Sequence, residues 1–371
     1  VSEADALTAA VLADPDADLP RLLFADWCDD HGDPDRAEFV RVQVELARLA
    51  ADSPYRPPLE DREDELMRLG FARWKVPAGH GVQGFVRGFV ELWDGTAEWF
   101  LDAAERLFAA APVRAVRVRV ADKHVPALCR MPEFGRVRSL DLSGNMLAVN
   151  GRLARLLTDA PLDGLTHLNL GNNNLFADAL GQVLRSPVAG RLTALDLSGN
   201  PLTDDGLREL AGTPALARLE SLTVRNNEQT DDNSVHADGA AAIGATRHFP
   251  RLTRLDLSGH RVGDAGLVAL IGSPLMARLV ELRLAQNGVG RSGDHWAAVV
   301  TDRLPAAVAR LDLSGRRNVV SLPAARRLVG WRRLADGLTV DLRGCTLEAG
   351  VPEVLTRCKY PGLLHAPSGA T

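Results

Sequence analysis

The sequence predicts an α/β horseshoe solenoid, with a parallel sheet inside and helices outside, preceded by a small all-helical domain. Three observations predict it. A string of apolar residues closed by asparagine, Val137-Arg-Ser-Leu140-Asp-Leu142-Ser-Gly-Asn145-Met-Leu147, returns at Leu165–Leu175, Leu192–Leu202 and Leu252–Val262. A recurrence of about 27 residues marks stacked units that cannot bury an apolar side alone. The first 80 residues lack this string and carry helical spacing instead.

The helical part reads in order. Leu7, Ala10 and Val11 share one helix face, and Asp14-Pro15-Asp16 ends it. A second helix runs from about Leu19 to Asp30, with Leu19, Leu22, Leu23 and Trp27 as its apolar residues. His31-Gly32 closes it, glycine taking the left-handed position. Asp33-Pro34 opens a third helix, in which Phe39, Val42, Leu46 and Leu49 make a core-facing stripe. Asp52 to Pro58 reads as a turn or linker, and a fourth helix follows with Leu66, Leu69 and Trp74.

From Gly84 the character changes. Phe85 to Trp93 is strand-like, and Thr96 to Ala111 is an amphipathic helix. With Leu92 in the third leucine position, a degenerate first repeat begins at Arg87. Later repeats begin at Val113, Val137, Leu165, Leu192, Leu219, Leu252, Leu279, Val308 and Gly337, giving about ten coils. Steps near 28 residues leave room for a full outer helix, which is the ribonuclease-inhibitor-like class of leucine-rich repeat. Asn145, Asn173, Asn200, Asn227 and Asn287 should turn inward and satisfy the backbone of the bend. His260, Arg316 and Cys345 stand in that place in three repeats; cysteine is an accepted alternative there, and His260 and Arg316 read as local irregularities. The expected domains are 1–80, helical, and 81–371, the solenoid, with caps at about 84–112 and 337–371.

Two long strings carry a resemblance. Val11-Leu-Ala-Asp-Pro-Asp-Ala-Asp-Leu-Pro-Arg-Leu-Leu-Phe-Ala-Asp-Trp27 continues into Asp29-Asp-His-Gly-Asp-Pro-Asp-Arg-Ala-Glu-Phe-Val40. Together they resemble the repeat-companion domain at the N-termini of many repeat proteins of planctomycete-type bacteria. Val86-Arg-Gly-Phe-Val90, followed by Phe108-Ala-Ala-Ala-Pro-Val113, is similar to the junction that family places before its leucine-rich repeats. The resemblance implies a fold and a bacterial origin. It implies no activity or substrate.

The chain of 371 residues has a formal net charge of -5, which argues against a general nucleic-acid binder. Residues 1–66 hold 18 acids and 6 bases, while the remainder holds 30 acids and 37 bases. Four cysteines without a C-x-x-C pair suit a reducing compartment. The acidic start, Val1-Ser-Glu-Ala-Asp5, is unlike a secretory signal, and no apolar run approaches the ~20 residues of a membrane span. The expectation is a soluble cytoplasmic protein.

Candidate sites follow from the strand register. The outward column between the second and third leucines is Arg117, Asp141, Asn169, Asp196, Thr223, Asp256, Arg283, Asp312 and Asp341. It reads either as a negative strip for a basic partner or cation, or as a soluble consensus strand; the second reading is preferred. Departures from consensus are better clues. His167, Asn169, Asn172, Arg225, Asn226, Arg254, Glu281, Arg283, Gln286, Arg310 and Arg343 form a surface able to make directed hydrogen bonds to a partner protein. The 33-residue step holds Asp231, Asp232, His236 and Asp238, which lack the glycine and terminal glutamate of an EF-hand and read as a contact loop at one rim.

Catalysis finds no motif: Cys28 and His31 sit in an apolar slot and at a cap, and no nucleophile elbow, phosphate loop or zinc-protease string occurs. The expected function is a non-enzymatic interaction module without cofactor or metal, binding a cytoplasmic protein through the concave face and one rim. The alternatives are nucleic-acid or phosphate binding through Arg316-Arg317, Arg326-Arg327 and Arg332-Arg333, or an enzyme activity within the helical segment.

Overall fold

The computed structural model describes residues 2–50, 53–77, 80–121, 123–148, 151–226, 233–360 and 362–364. Two compact units emerge. One comprises residues 1–141 with 160–165, the other 142–159 with 166–371.

The first unit opens with α1 (Glu3–Ala13), α2 (Leu19–Asp30), α3 (Pro34–Arg48) and α4 (Arg56–Trp74). Ser2 caps α1 through a reciprocal bond with Asp5, and the Asp33 side chain accepts from the Arg36 amide to start α3. Of the predicted α3 stripe, Phe39, Val42 and Leu46 are buried. In α2 the apolar reading needs correction. Leu19 and Leu23 are exposed, whereas Arg21, Ala25 and Cys28 are fully buried or nearly so. Helical spacing records which side chains share a face, but here one arginine, once paired, replaces leucine at the centre of that face. In α4, Leu66 is buried and Leu69 exposed.

The expected strand from Phe85 to Trp93 is a hairpin, β1 (Val82–Val86) and β2 (Phe89–Thr96), paired antiparallel. Arg87 and Gly88, at φ 47° and 84°, form the two-residue turn that needs positive φ at both positions. β2 then pairs in parallel with β3 (Ala115–Arg119), and β3 with β4 (Ser139–Asp141). Between them lie α5 (Ala97–Ala110), capped by Thr96, and the short α6 (Val125–Leu128).

The register corrects the first repeat. Trp93, not Val90, aligns with Val116 and then Leu140, and Gly95, not Leu92, aligns with Val118, so the repeat begins at Val90 rather than Arg87. Trp93 is buried and Leu92 exposed. Gly95 takes the third leucine place, because a Cβ there would lie 2.6 Å from the Trp93 ring. The indole fills two leucine positions at once, which a leucine template does not recognise.

The second unit is a leucine-rich-repeat solenoid. Its strands are β5 (His167–Asn169), β6 (Ala194–Asp196), β7 (Ser221–Thr223), β8 (Arg254–Asp256), β9 (Glu281–Arg283), β10 (Arg310–Asp312), β11 (Val319–Val320), β12 (Thr339–Asp341), β13 (Thr346–Leu347) and β14 (Leu363–Leu364). Apart from the separate pair β11–β13, they form a parallel ladder in chain order. Leu168, Leu195, Leu222, Leu255, Leu282, Leu311, Val340 and Leu363 stand opposite one another across it, all buried. Helices such as Ala177–Arg185, Asp204–Gly212 and Gly263–Ile271 return the chain and bury Leu180, Leu207, Leu210, Leu267 and Leu270 against the same core. No helix among the described residues is long and apolar enough to cross a membrane.

Candidate functional site

Two rows of polar side chains hold each bend and thereby shape the outward face of the strands. The inner row is a ladder. Asn173 donates to the Leu142 carbonyl at 2.8 Å, Asn200 to Leu170 at 2.9 Å and Asn287 to Leu257 at 2.8 Å. Each partner carbonyl belongs to the third leucine position of the preceding coil. Asn145, Asn173, Asn200 and Asn287 are all buried; Asn227 lies outside the described residues.

The irregular coils keep the same bond by other means. His260 Nδ1 accepts from the Val235 amide at 3.1 Å, so the proton sits on Nε2, 2.8 Å from the Val224 carbonyl. Asn318, two residues beyond Arg316, donates to Leu284 at 3.0 Å. The Cys345 thiol reaches Leu313 at 3.0 Å. The Arg316 departure is thus a two-residue insertion in the bend, and Asn318 is the rung that a fixed template misses.

The outer row is the aspartate column. Asn169 accepts from the Gly171 amide, Asp196 from Ser198, Asp256 from Ser258, Asp312 from Ser314 and Asp341 from Arg343, at 2.8–2.9 Å. Each is an Asx turn that satisfies the amide of the second residue past the strand. The signal was in the sequence: Asp141, Asp196, Asp256 and Asp312, four of the five aspartates of the column, are each followed two positions later by serine.

Arginines stand over these carboxylates. Arg283 pairs with Glu281 at 2.6 Å, Arg310 with Glu281 at 3.7 Å, Arg225 with Asp256 at 3.9 Å and Arg343 with Asp341 at 2.6 Å. Their side chains are 43–63% exposed, while the carboxylates beneath keep only 12–14%. Burial pushes the Asp256 carboxyl upward despite its bonds to Ser258. The layer meeting solvent along β7–β12 is therefore guanidinium. A hollow of about 250 Å³ lies over β7–β9, lined by Thr223, Arg254, Asp256, Glu281 and Arg283 among others.

The remaining predicted residues fall nearby. Arg254 and His167 are exposed at the starts of their strands, with Thr166 Oγ1 2.9 Å from the His167 ring. Asn172 and Gln286 occupy left-handed bend positions at φ 53° and 60°. The Gln286 side chain accepts from the Arg317 amide, and Asn226 Nδ2 lies 3.3 Å from Ser234 Oγ. Asp231 and Asp232 lie outside the described residues. His236 donates its amide to Asp204 at 2.8 Å, and Asp238 is 3.9 Å from Arg208. Two of the C-terminal arginines are committed to the fold. Arg327 holds Asp302 and Thr301, and Arg333 donates to the carbonyls of Leu304, Pro305, Ala306 and Val308.

Comparison with known proteins adds the following. A family profile described as "Leucine Rich repeat" matches residues 192–211 and 250–270. No curated protein sequence matches the chain. Among solved structures, the leucine-rich repeat-containing protein LegL7 from Legionella pneumophila is 18% identical, with TM-score 0.47, covering 74% of this chain and 93% of its own. An internalin (inlF) from Listeria monocytogenes is 15% identical, with TM-score 0.41, covering 74% and 71%. The yeast Rad7 and Elc1 complex matches at 13% identity and TM-score 0.42, covering 98% of both chains. In the coil around 192–211, leucine ladder, asparagine rung and family profile coincide, in that around 250–270 the rung is His260, and the chain carries leucine-rich repeats.

Proposed function

We propose that the chain is a non-enzymatic recognition module that binds a cytoplasmic protein through the outward face of β7–β12 and the adjoining rim. One observation carries this reading: exposed guanidinium groups are layered over carboxylates that have been withdrawn from solvent. Such a layer offers planar donors, suited to an acidic or amide-rich protein edge. We take residues 1–80 as a companion domain of bacterial type and 81–371 as repeats of the ribonuclease-inhibitor-like class. The ladder and the Asx turns consume the polar groups of the bends, which leaves recognition to the arginines.

The test is the double substitution Arg225→Glu and Arg283→Glu, compared with the parent in affinity capture and then in titration of the captured partner. The expected outcome is unchanged far-UV circular dichroism and binding weaker by more than about tenfold, because attraction becomes repulsion at two positions. Undiminished binding moves the site to the rim near His236 and Asp238 or to the helical segment.

A further inference from the structure

A cavity of about 400 Å³ lies within the first unit, walled by α2, α3, the end of α4 and β2. Phe24, Trp27, His31, Arg36, Trp74 and Phe89 are among its lining residues. Arg36 is 7% exposed and makes no ion pair among the described residues. Its guanidinium carbon stands 5.2 Å from the Trp74 ring centroid and 5.4–5.9 Å from those of Phe85, Phe89, Phe39 and Phe24. Nη2 donates to the Gly88 carbonyl. Nη1 is buried without a protein acceptor, and so are the indole nitrogens of Trp27 and Trp74. Three buried donors without a protein acceptor belong to residues that line one aromatic chamber.

We infer that this cavity binds a small monocarboxylate on an aromatic or similarly apolar body. An ionised carboxylate only accepts, which complements a set that only donates. A guanidinium fits it better than any other anion partner of that size. The cage of rings around Arg36 explains how a lone cation is tolerated there, but gives the two indole N–H groups nothing to bind. Charge selects the valence. Arg36 and Arg73 against Asp33 leave one positive charge among the lining residues. Burial pushes the Cys28 thiol up to about 11 and keeps it neutral. A single negative charge balances this set, whereas phosphate brings up to two and needs donors on every side. Phe24, Phe89, Val90 and Ala111 supply apolar wall for the body of the ligand.

The test uses the full chain with phenylacetate, phenylacetamide, inorganic phosphate and a short peptide ending in phenylalanine, by calorimetry and tryptophan fluorescence. Phenylacetate is expected to saturate, with phenylacetamide and phosphate weaker by roughly tenfold or more. Trp27→Phe and Trp74→Phe keep the rings and remove one N–H each, and each should weaken phenylacetate about fivefold. Arg36→Gln should weaken it by more than about tenfold; should that variant lose its circular dichroism, the two tryptophan variants decide. Tighter binding of the peptide than of the free acid, with the same tryptophan sensitivity, keeps the carboxylate and assigns it to a chain end. No saturation by phenylacetate or peptide below about 10 mM, equal affinity for phenylacetamide, or indifference to both tryptophan variants overturns the inference.

Discussion

The two units solve one problem, buried backbone polar groups, with opposite chemistry. In the repeats a neutral side chain satisfies one carbonyl per coil, and the solution recurs about every 27 residues. In the first unit the β1–β2 hairpin is held by single, charged or bulky side chains used once. Arg21 donates to the carbonyls of Pro15, Val86 and Arg87 and pairs with Glu91 at 2.6 Å, fully buried. Gln43 accepts from the Gly88 amide at 2.6 Å, and Arg36 donates to the Gly88 carbonyl. A ladder divides the stake among many equal rungs. A staple places it on one residue, with the desolvation of an ion added.

The largest expected effect breaks the staple. Arg21→Met takes a donor from three carbonyls, of which Pro15 keeps Arg87 Nη2 at 2.8 Å, and leaves Glu91 with Arg87 at 3.8 Å. The expected loss is about 3–5 kcal/mol in chemical denaturation. Adding Glu91→Leu should recover a good part of it, since an uncompensated buried charge costs more than a missing pair. A loss under about 1 kcal/mol would mean the staple is ornamental and the units are held alike.

A smaller effect is expected from the ladder. Asn200 donates to Leu170 and Leu197 and accepts from the amides of Asn173 and Leu175. Asn200→Ala should cost roughly 2–3 kcal/mol, because each buried group left unpaired costs about 1–3 and neighbouring coils relax in part. Hydrogen exchange should show faster exchange at Asn173 and Leu175 and little change in α1–α4. Loss of protection across α1–α4 would deny that the ladder acts between neighbours.

The same contrast explains what the sequence made legible. Leucine column, strand register and asparagine rungs are periodic, so each coil repeats the evidence of the last; Leu168 to Val340 fell where the string placed them. Trp93 did not, because one indole fills the space of two leucines over Gly95. Arg21 did not, because nothing local distinguishes an arginine that will be buried by a hairpin 65 residues on from one left in water. The outward arginines were readable as positions. Their stacking over carboxylates was not, since it depends on cross-strand neighbours such as Arg310 and Glu281. Arg36 and the two indoles of the cavity carried no site signal in the sequence for a further reason: an unmet donor is a property of packing, and no residue type announces it.

The last and smallest effect lies at the one rung among the described residues that can titrate below neutral pH. His260 is buried at 1% exposure, accepts at Nδ1 and donates at Nε2, so a second proton has no acceptor and would break the bond from Val235. Burial first, with His236 nearby, lowers its pKa from 6.5 to about 4, against the opposing pull of the Val224 carbonyl and Asp204. The unfolded chain takes the proton near 6.5 and the folded chain only near 4, so between these values the unfolded state binds more protons. The stability from neutral His260 is fully present above about 6.5 and is lost progressively as pH falls toward 4. His260→Asn restores the neutral rung without the titration. At pH 7.5 the two proteins should melt within about 2–4 °C of one another, and at pH 5 the parent should fall behind by the equivalent of roughly 1–2 kcal/mol. Parallel melting curves across that range would mean that His260 takes the proton as readily in the fold as in the unfolded chain, and that this rung does not depend on a neutral imidazole.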